Sequence, residues 1–67
     1  MRTDENFKIV DILGKSEKEA REMAHEAGYT TRVVRENGIL HPTTRDYRTN
    51  RINLSIQNGM VYQADVG

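Results

Sequence analysis

The run from Arg51 to Gln57 constrains the fold most, because apolar and polar residues alternate along it without a break. This two-residue period is that of a β-strand with one buried face. Asn58-Gly59 follows at once, and this dipeptide is the preferred turn of a two-residue hairpin. We therefore predict an antiparallel hairpin of strands 51–57 and 60–66. The residues that then face a core are Ile52, Leu54 and Ile56, and those that face outward are Asn53 and Ser55.

One short amphipathic helix is predicted over residues 16–28. Ser16, with Glu19 three residues later, has the pattern of a capping box, which satisfies free amides at a helix start. Gly28 suits the left-handed position that ends many helices. The apolar residues recur at three- and four-residue spacing on one face, and they are Ala20, Met23, Ala24 and Ala27. A β-branched run over 29–36 predicts a further strand.

These segments together predict an α+β fold, with a single amphipathic helix packed on a small three-stranded mixed sheet. Residues 1–13 hold an apolar cluster without helical spacing, and we interpret them as an extended arm that closes over the core. Residues 37–50 form a long exposed loop, which is too long for a hairpin turn and fits parallel neighbours on its two sides. A chain of 67 residues has room for one modest core, so we expect a single domain over 1–67.

The charge balance and the cysteine content of the chain argue against some classes of function. Ten basic residues balance ten acidic ones, which argues against a general polyanion binder, and Arg45, Arg48 and Arg51 leave nucleic-acid binding as the weaker alternative. We interpret Arg32 and Arg35 as solvated surface residues. Cysteine is absent, so the core holds the fold without disulfides. The start of the chain is too polar for a signal peptide and no apolar run spans a bilayer, so we expect a cytosolic monomer with no membrane partner.

The sequence contains few residues that could carry out catalysis. There is no cysteine nucleophile, and the two histidines, His25 in the helix and His41 in the loop, have no metal-ligand spacing. A triad of His41, Asp46 and Thr43 or Thr44 is conceivable, but one loop does not supply an oxyanion site and a substrate pocket as well. The glycines are scattered singly and form no phosphate-binding loop. We expect no enzyme, no cofactor and no metal.

The loop carries the strongest functional signal, since structureless connections beyond about 12 residues are uncommon unless they are functional or disordered. Arg45 lies near its middle, between the short side chains of Thr44 and Asp46, which accept hydrogen bonds. Arg51 opens the next strand, from which its guanidinium can reach back toward them. Pro42 removes backbone freedom, so less entropy is lost when a partner captures the loop. From these residues alone, a recognition loop and a merely solvated loop are both open.

Three stretches agree in order and spacing with one family of inhibitors. They are Leu13-Gly14-Lys15-Ser16 with Glu19-Ala20 at the helix start, Pro42 through Arg48 to Arg51 in the loop, and the ending Val66-Gly67. On these stretches the chain resembles the potato inhibitor I family of small serine protease inhibitors. The resemblance implies a reversible inhibitor whose loop binds like a substrate, with slow hydrolysis because the cut ends are held in place and rejoin.

The resemblance also implies a role for each loop position. Arg45-Asp46 is the reactive bond, and Arg45 enters the specificity pocket of a trypsin-like or subtilisin-like protease. The other residues that bind the protease are Pro42, Thr43, Thr44, Tyr47 and Arg48. Loop support comes from Arg51, Asn53 and Gly67. Asn53 occupies a position where the family carries a second supporting arginine, so weaker support is expected here. The alternative is a non-inhibitory protein-interaction module that uses the same loop on the same fold.

Overall fold

The computed structural model describes residues 7–67, and in this part of the chain one α-helix packs against a four-stranded mixed sheet. In chain order the elements are a 3₁₀ helix (Ile9–Ile12), α1 (Glu17–Glu26), β1 (Thr30–Glu36), β2 (Ile39–Leu40), β3 (Arg51–Gln57) and β4 (Met60–Val66). The strand order across the sheet is β2-β1-β3-β4. The central pair β1–β3 is parallel, and the two outer pairs are antiparallel. The predicted α+β class is confirmed.

Helix α1 begins and ends where its capping residues indicate. The Ser16 hydroxyl accepts a hydrogen bond from the Glu19 amide at 3.2 Å, which satisfies one free donor of the first turn. Gly28 has a φ of 93° just beyond the helix, a conformation that a side chain disfavours. Ala20 and Ala24 are fully buried, so the predicted apolar face packs on the sheet.

The hairpin of β3 and β4 has the bounds predicted from alternation, 51–57 and 60–66. Asn58 and Gly59 both have positive φ angles, 53° and 80°, as a type I′ turn requires. The predicted inward residues Ile52, Leu54 and Ile56 have no exposed surface. They form the core with Ile12, Ala20, Ala24 and Val61.

The outer face of β3 is less open than predicted. Ser55 is only 7% exposed, although alternation places it on the face away from the helix. Its register partners are Arg35 on β1 and Gln63 on β4. A small side chain on a central strand, with long side chains on both neighbours, is shielded from water without entering the core.

The prediction of three strands is wrong, because the start of the predicted loop forms a fourth. Asn37 and Gly38 have φ angles of 51° and 84° and turn the chain back, so that Ile39–Leu40 pairs antiparallel with β1. A two-residue strand is too short to display any alternation, and the signal that was present is the Asn37-Gly38 dipeptide, which is the same hairpin turn as Asn58-Gly59. The irregular connection is therefore residues 41–50 rather than 37–50.

The predicted extended arm is also wrong over part of its length. Residues Ile9–Ile12 form a 3₁₀ helix, because the Asp11 carboxylate accepts a hydrogen bond from the Lys8 amide and stabilises a local turn. Ile12 is fully buried, and Phe7 packs against Tyr29 with 5.7 Å between ring centroids. Residues 1–6 of the predicted arm lie outside the described residues. Within 7–67, no helix has the length and apolar character needed to cross a membrane.

Candidate functional site

Residues 41–50 connect the parallel strands β1 and β3, and every one of them is exposed. Two main-chain hydrogen bonds fix the ends of the segment: His41 N donates to Val34 O at 2.9 Å, and Thr30 N donates to Asn50 O at 2.8 Å. Between them, residues 43–47 make no main-chain to main-chain hydrogen bond with any part of the chain that the structure describes. Side chains must therefore hold this stretch in shape, and its main-chain groups, apart from the Asp46 oxygen that Arg51 binds, are available to a partner.

Asp46 is the centre of a network of side-chain bonds within the loop. Its carboxylate accepts hydrogen bonds from the Thr44 hydroxyl on one oxygen and from Arg48 Nε, at 2.8 Å, on the other. Arg51 Nη1 lies 3.5 Å from the second oxygen. The bonds from Thr44 and then Arg48 hold the pKa of the Asp46 carboxyl far below its usual range, with help from the charge of Arg51 and against partial desolvation. Asp46 is therefore ionised at neutral pH.

Arg51 joins the loop to the end of β4. Its side chain is 12% exposed, and Nη2 donates to the main-chain oxygens of Asp46, at 2.9 Å, and of Gly67, at 2.6 Å. Among residues 7–67, its Nε has no partner, so the guanidinium is held through its terminal nitrogens. The predicted reach of Arg51 back toward Asp46 is present.

Gly67 is buried where the loop and the sheet meet. Its main-chain oxygen also accepts a bond from Arg48 N at 3.2 Å, and its amide donates to Arg51 O at 3.0 Å. A Cβ atom at this position would lie 3.0 Å from Asn53 Nδ2 and 3.7 Å from the ring of Tyr47. Because these two side chains approach so closely, glycine fits at position 67 without adjustment, whereas a larger residue requires its neighbours to shift.

Arg32, on β1, is a loop contact that the sequence prediction missed. Its Nε donates to Asn53 Oδ1 at 2.7 Å, and its Nη1 donates to the Thr44 hydroxyl oxygen at 3.2 Å. The interpretation of Arg32 as a solvated residue is therefore wrong. A signal was present in the sequence, since Arg32 is the third residue of β1 and Asn53 the third of β3. This signal can be used only when the register of β1 against β3 is known, because that register makes Arg32 and Asn53 partners.

The side chain of Arg45 differs from those around it. It is exposed and has no hydrogen bond or ion pair with any of residues 7–67, whereas Thr44 and Asp46 on its two sides are each held by an arginine. Pro42, Thr43 and Tyr47 are also exposed, Tyr47 to 70%. The Arg45-Asp46 bond therefore lies between two residues that arginines hold in place. The guanidinium of Arg45 itself has no partner among residues 7–67.

Within residues 7–67, His41 does not join Asp46 in the triad that the sequence made conceivable with Thr43 or Thr44. His41 Nε2 lies 3.8 Å from a carboxylate oxygen of Glu36, and among the described residues it has no hydrogen bond to Asp46. Within 7–67, no three histidine or acidic side chains are grouped closely enough to hold a metal ion. A shallow depression on the helix is lined by Glu17, Lys18, Arg21, Glu22 and His25, and it contains no residue of the loop.

Comparisons of this chain with protein-family models, with curated proteins and with solved structures gave no match. The loop therefore supplies the functional signal, through its exposure, its largely unpaired main chain within 7–67 and the contacts that hold it. Those contacts come from Arg32 on β1, from Arg51 on β3 and from Gly67 just after β4.

Proposed function

We propose that this protein is a reversible, substrate-like serine protease inhibitor that resembles the potato inhibitor I family, with Arg45-Asp46 as its reactive bond and residues 41–50 as its binding loop. The observation that carries the proposal is the bracing of this one bond from both sides. Arg32 holds Thr44 and Arg51 holds Asp46, while the intervening main chain makes no bonds of its own within 7–67.

Such bracing serves inhibition in two ways. A loop that is already ordered loses little conformational entropy on binding, so more of the interaction energy appears as affinity. If the protease cuts the bond, residues that are still held by their arginines stay close together, and the reverse reaction remains open. The N–H groups of residues 43–47 and their C=O groups, apart from that of Asp46, which Arg51 binds, supply the main-chain pairing that a protease makes with an extended substrate.

Arg45 selects the class of target. An unpaired guanidinium that enters a pocket must find a carboxylate there, because burying it without a partner costs several kcal/mol. A trypsin-like protease, with an acid at the base of its pocket, is the first choice, and a subtilisin-like protease is the second. Tyr47, two positions beyond Arg45 and 70% exposed, adds aromatic contact area on the other side of the bond. A complex of standard size would bury about 1,600 Å² in total.

Titration against trypsin, chymotrypsin and subtilisin tests the proposal. Residual activity gives the inhibition constant Ki, and mass spectrometry detects a cut between Arg45 and Asp46. We expect tight inhibition of trypsin that Arg45→Ala abolishes. Arg35→Ala is the matched control, because Arg35 is an exposed arginine of β1 without a side-chain partner among residues 7–67. Absence of inhibition of all three proteases, or equal loss in both variants, would refute the proposal.

A second candidate is a non-inhibitory interaction module on the same loop. Ile39 and Leu40 are 68% and 67% exposed just before the loop, and Tyr47 lies within it, so apolar surface is available to a partner other than a protease. Such a module would inhibit none of the three proteases, and its binding would depend on Leu40 and Tyr47 rather than on Arg45. In both candidates the protein acts as a monomeric binder of another protein, without enzymatic activity, cofactor, nucleic acid or membrane.

A further inference from the structure

We infer that Arg32 is a positioning residue for the reactive bond and that Asn53 contributes to inhibition through Arg32. The inference rests on the proposed function and extends it to a residue of β1, outside the loop. The sequence predicts weak support at Asn53 because its amide is short and neutral. The structure places an arginine of the neighbouring strand on that amide instead.

The geometry of the guanidinium explains why Asn53 matters. Arg32 is half-buried, and its Nε and Nη1 are parts of one rigid planar group. The 2.7 Å bond from Nε to Asn53 Oδ1 fixes the plane, and Nη1 is then aimed at the Thr44 hydroxyl 3.2 Å away. Without Asn53, the long side chain of Arg32 keeps its charge but loses its direction. Asn53 thus orders the arginine before the loop is bound.

The bonds form a continuous chain across the reactive bond. Arg32 donates to the Thr44 hydroxyl, and that hydroxyl donates to the Asp46 carboxylate. Donors and acceptors that alternate in this way polarise and strengthen one another. This series of hydrogen bonds starts at Asn53. The bond that holds the Asp46 side of the reactive bond starts at Arg51, two residues earlier on the same strand. Both sides of the bond are therefore positioned relative to one short stretch of β3.

A purely structural role for Arg32 makes a different prediction. If the Arg32–Asn53 bond merely stabilised the sheet, Arg32→Ala would lower the urea midpoint of unfolding and leave the loop as ordered as before. If Arg32 positions Thr44, its removal changes the inhibition constant and the rate of cleavage at Arg45-Asp46 by more than the loss of stability explains.

Inhibition of trypsin by four variants separates these roles: Arg32→Ala, Asn53→Ala, the double variant, and Arg35→Ala as control. Loss of one bond from a charged donor is expected to raise Ki about tenfold in each of the first two. The double variant should show no further increase, because Asn53 acts through Arg32. The control should stay within about twofold of the unchanged protein. Equal Ki values for Arg32→Ala and Arg35→Ala, or fully additive effects in the double variant, would overturn the inference.

Order in the free loop is measured without any protease. Nuclear magnetic resonance (NMR) relaxation of the amides of Thr43–Asp46 should report larger picosecond-to-nanosecond motion in Arg32→Ala and in Asn53→Ala than in Arg35→Ala. Unchanged relaxation in both would overturn the positioning role. The relaxation measurement distinguishes failure of the proposed function from failure of the Arg32 inference. If the protein inhibits no protease, the proposed function fails, while the relaxation data still decide whether Arg32 orders the loop.

Discussion

If the protein is the protease inhibitor that we propose, Arg51→Ala should turn it from an inhibitor toward a substrate. The side chain of Arg51 is 12% exposed and joins the main chain of Asp46 to that of Gly67. Its removal frees the Asp46 side of the reactive bond while leaving the Arg32 bond to Thr44 in place. The two ends of a bond cut by the protease would then separate more readily, because Asp46 keeps only the side-chain bonds from Thr44 and Arg48 and its main chain is no longer held.

The expected size of the effect follows from the contacts. A hydrogen bond from a charged donor contributes about 1.5–3 kcal/mol, and the bond to Asp46 O lies toward the lower end of that range, because the Arg51 side chain is 12% exposed but the Asp46 end is open to solvent. The ion pair with the exposed Asp46 carboxylate adds little. About 2 kcal/mol corresponds to roughly 30-fold in Ki. The bond to Gly67 O lies just after β4, where the loop meets the sheet, so its loss adds a lower stability to the higher Ki.

The assay measures Ki for trypsin and the rate of cleavage after Arg45. Arg51→Met is the companion variant, because methionine keeps the apolar stem and removes every donor. Both variants should show the same rise in Ki and faster cleavage. Arg35→Ala is the control, because Arg35 is an exposed arginine of β1 without a side-chain partner among residues 7–67, and it should change Ki only slightly. An unchanged Ki and cleavage rate in both Arg51 variants would refute the bracing role.

Two further predictions concern Asp46 and Gly67. The Asp46 carboxyl should titrate below the usual value of about 3.9 in carbon NMR, and Thr44→Val should raise its pKa by removing a donor. The stabilisation from its bonds should be fully present above the ordinary pKa and be lost as pH falls through the lowered one; a midpoint at the ordinary value would contradict this. Gly67→Ala places a Cβ 3.0 Å from Asn53 Nδ2 and should cost about 1 kcal/mol, or roughly 4–8 °C in Tm, with a higher Ki. An unchanged Tm and Ki would show that the site has room.

Much of the fold is predictable because its signals are local. The alternation of 51–57 and the Asn58-Gly59 turn predict the hairpin to the residue. Ser16 and Gly28 predict the limits of the helix to within two residues, since capping depends on neighbours in sequence. These features need no knowledge of what the segments pack against.

The features that sequence reasoning missed have two different causes. Ile39–Leu40 is too short to show alternation, and only the Asn37-Gly38 dipeptide before it indicates a hairpin with β1. The role of Arg32 depends on the register of β1 against β3, which brings it opposite Asn53. Alternation predicts which face a residue occupies and says nothing about which residue of another strand it meets.

The parallel pairing of β1 with β3 has a consequence for the protein if a protease cuts the proposed reactive bond. A cut between Arg45 and Asp46 leaves β1 in one polypeptide and both β3 and β4 in another, so the central strand pair becomes an interface between two molecules. Folding of the cut protein is then a bimolecular reaction, and its stability depends on protein concentration, which that of the uncut chain does not. Dilution would release the two pieces, and mixing them again would restore the sheet.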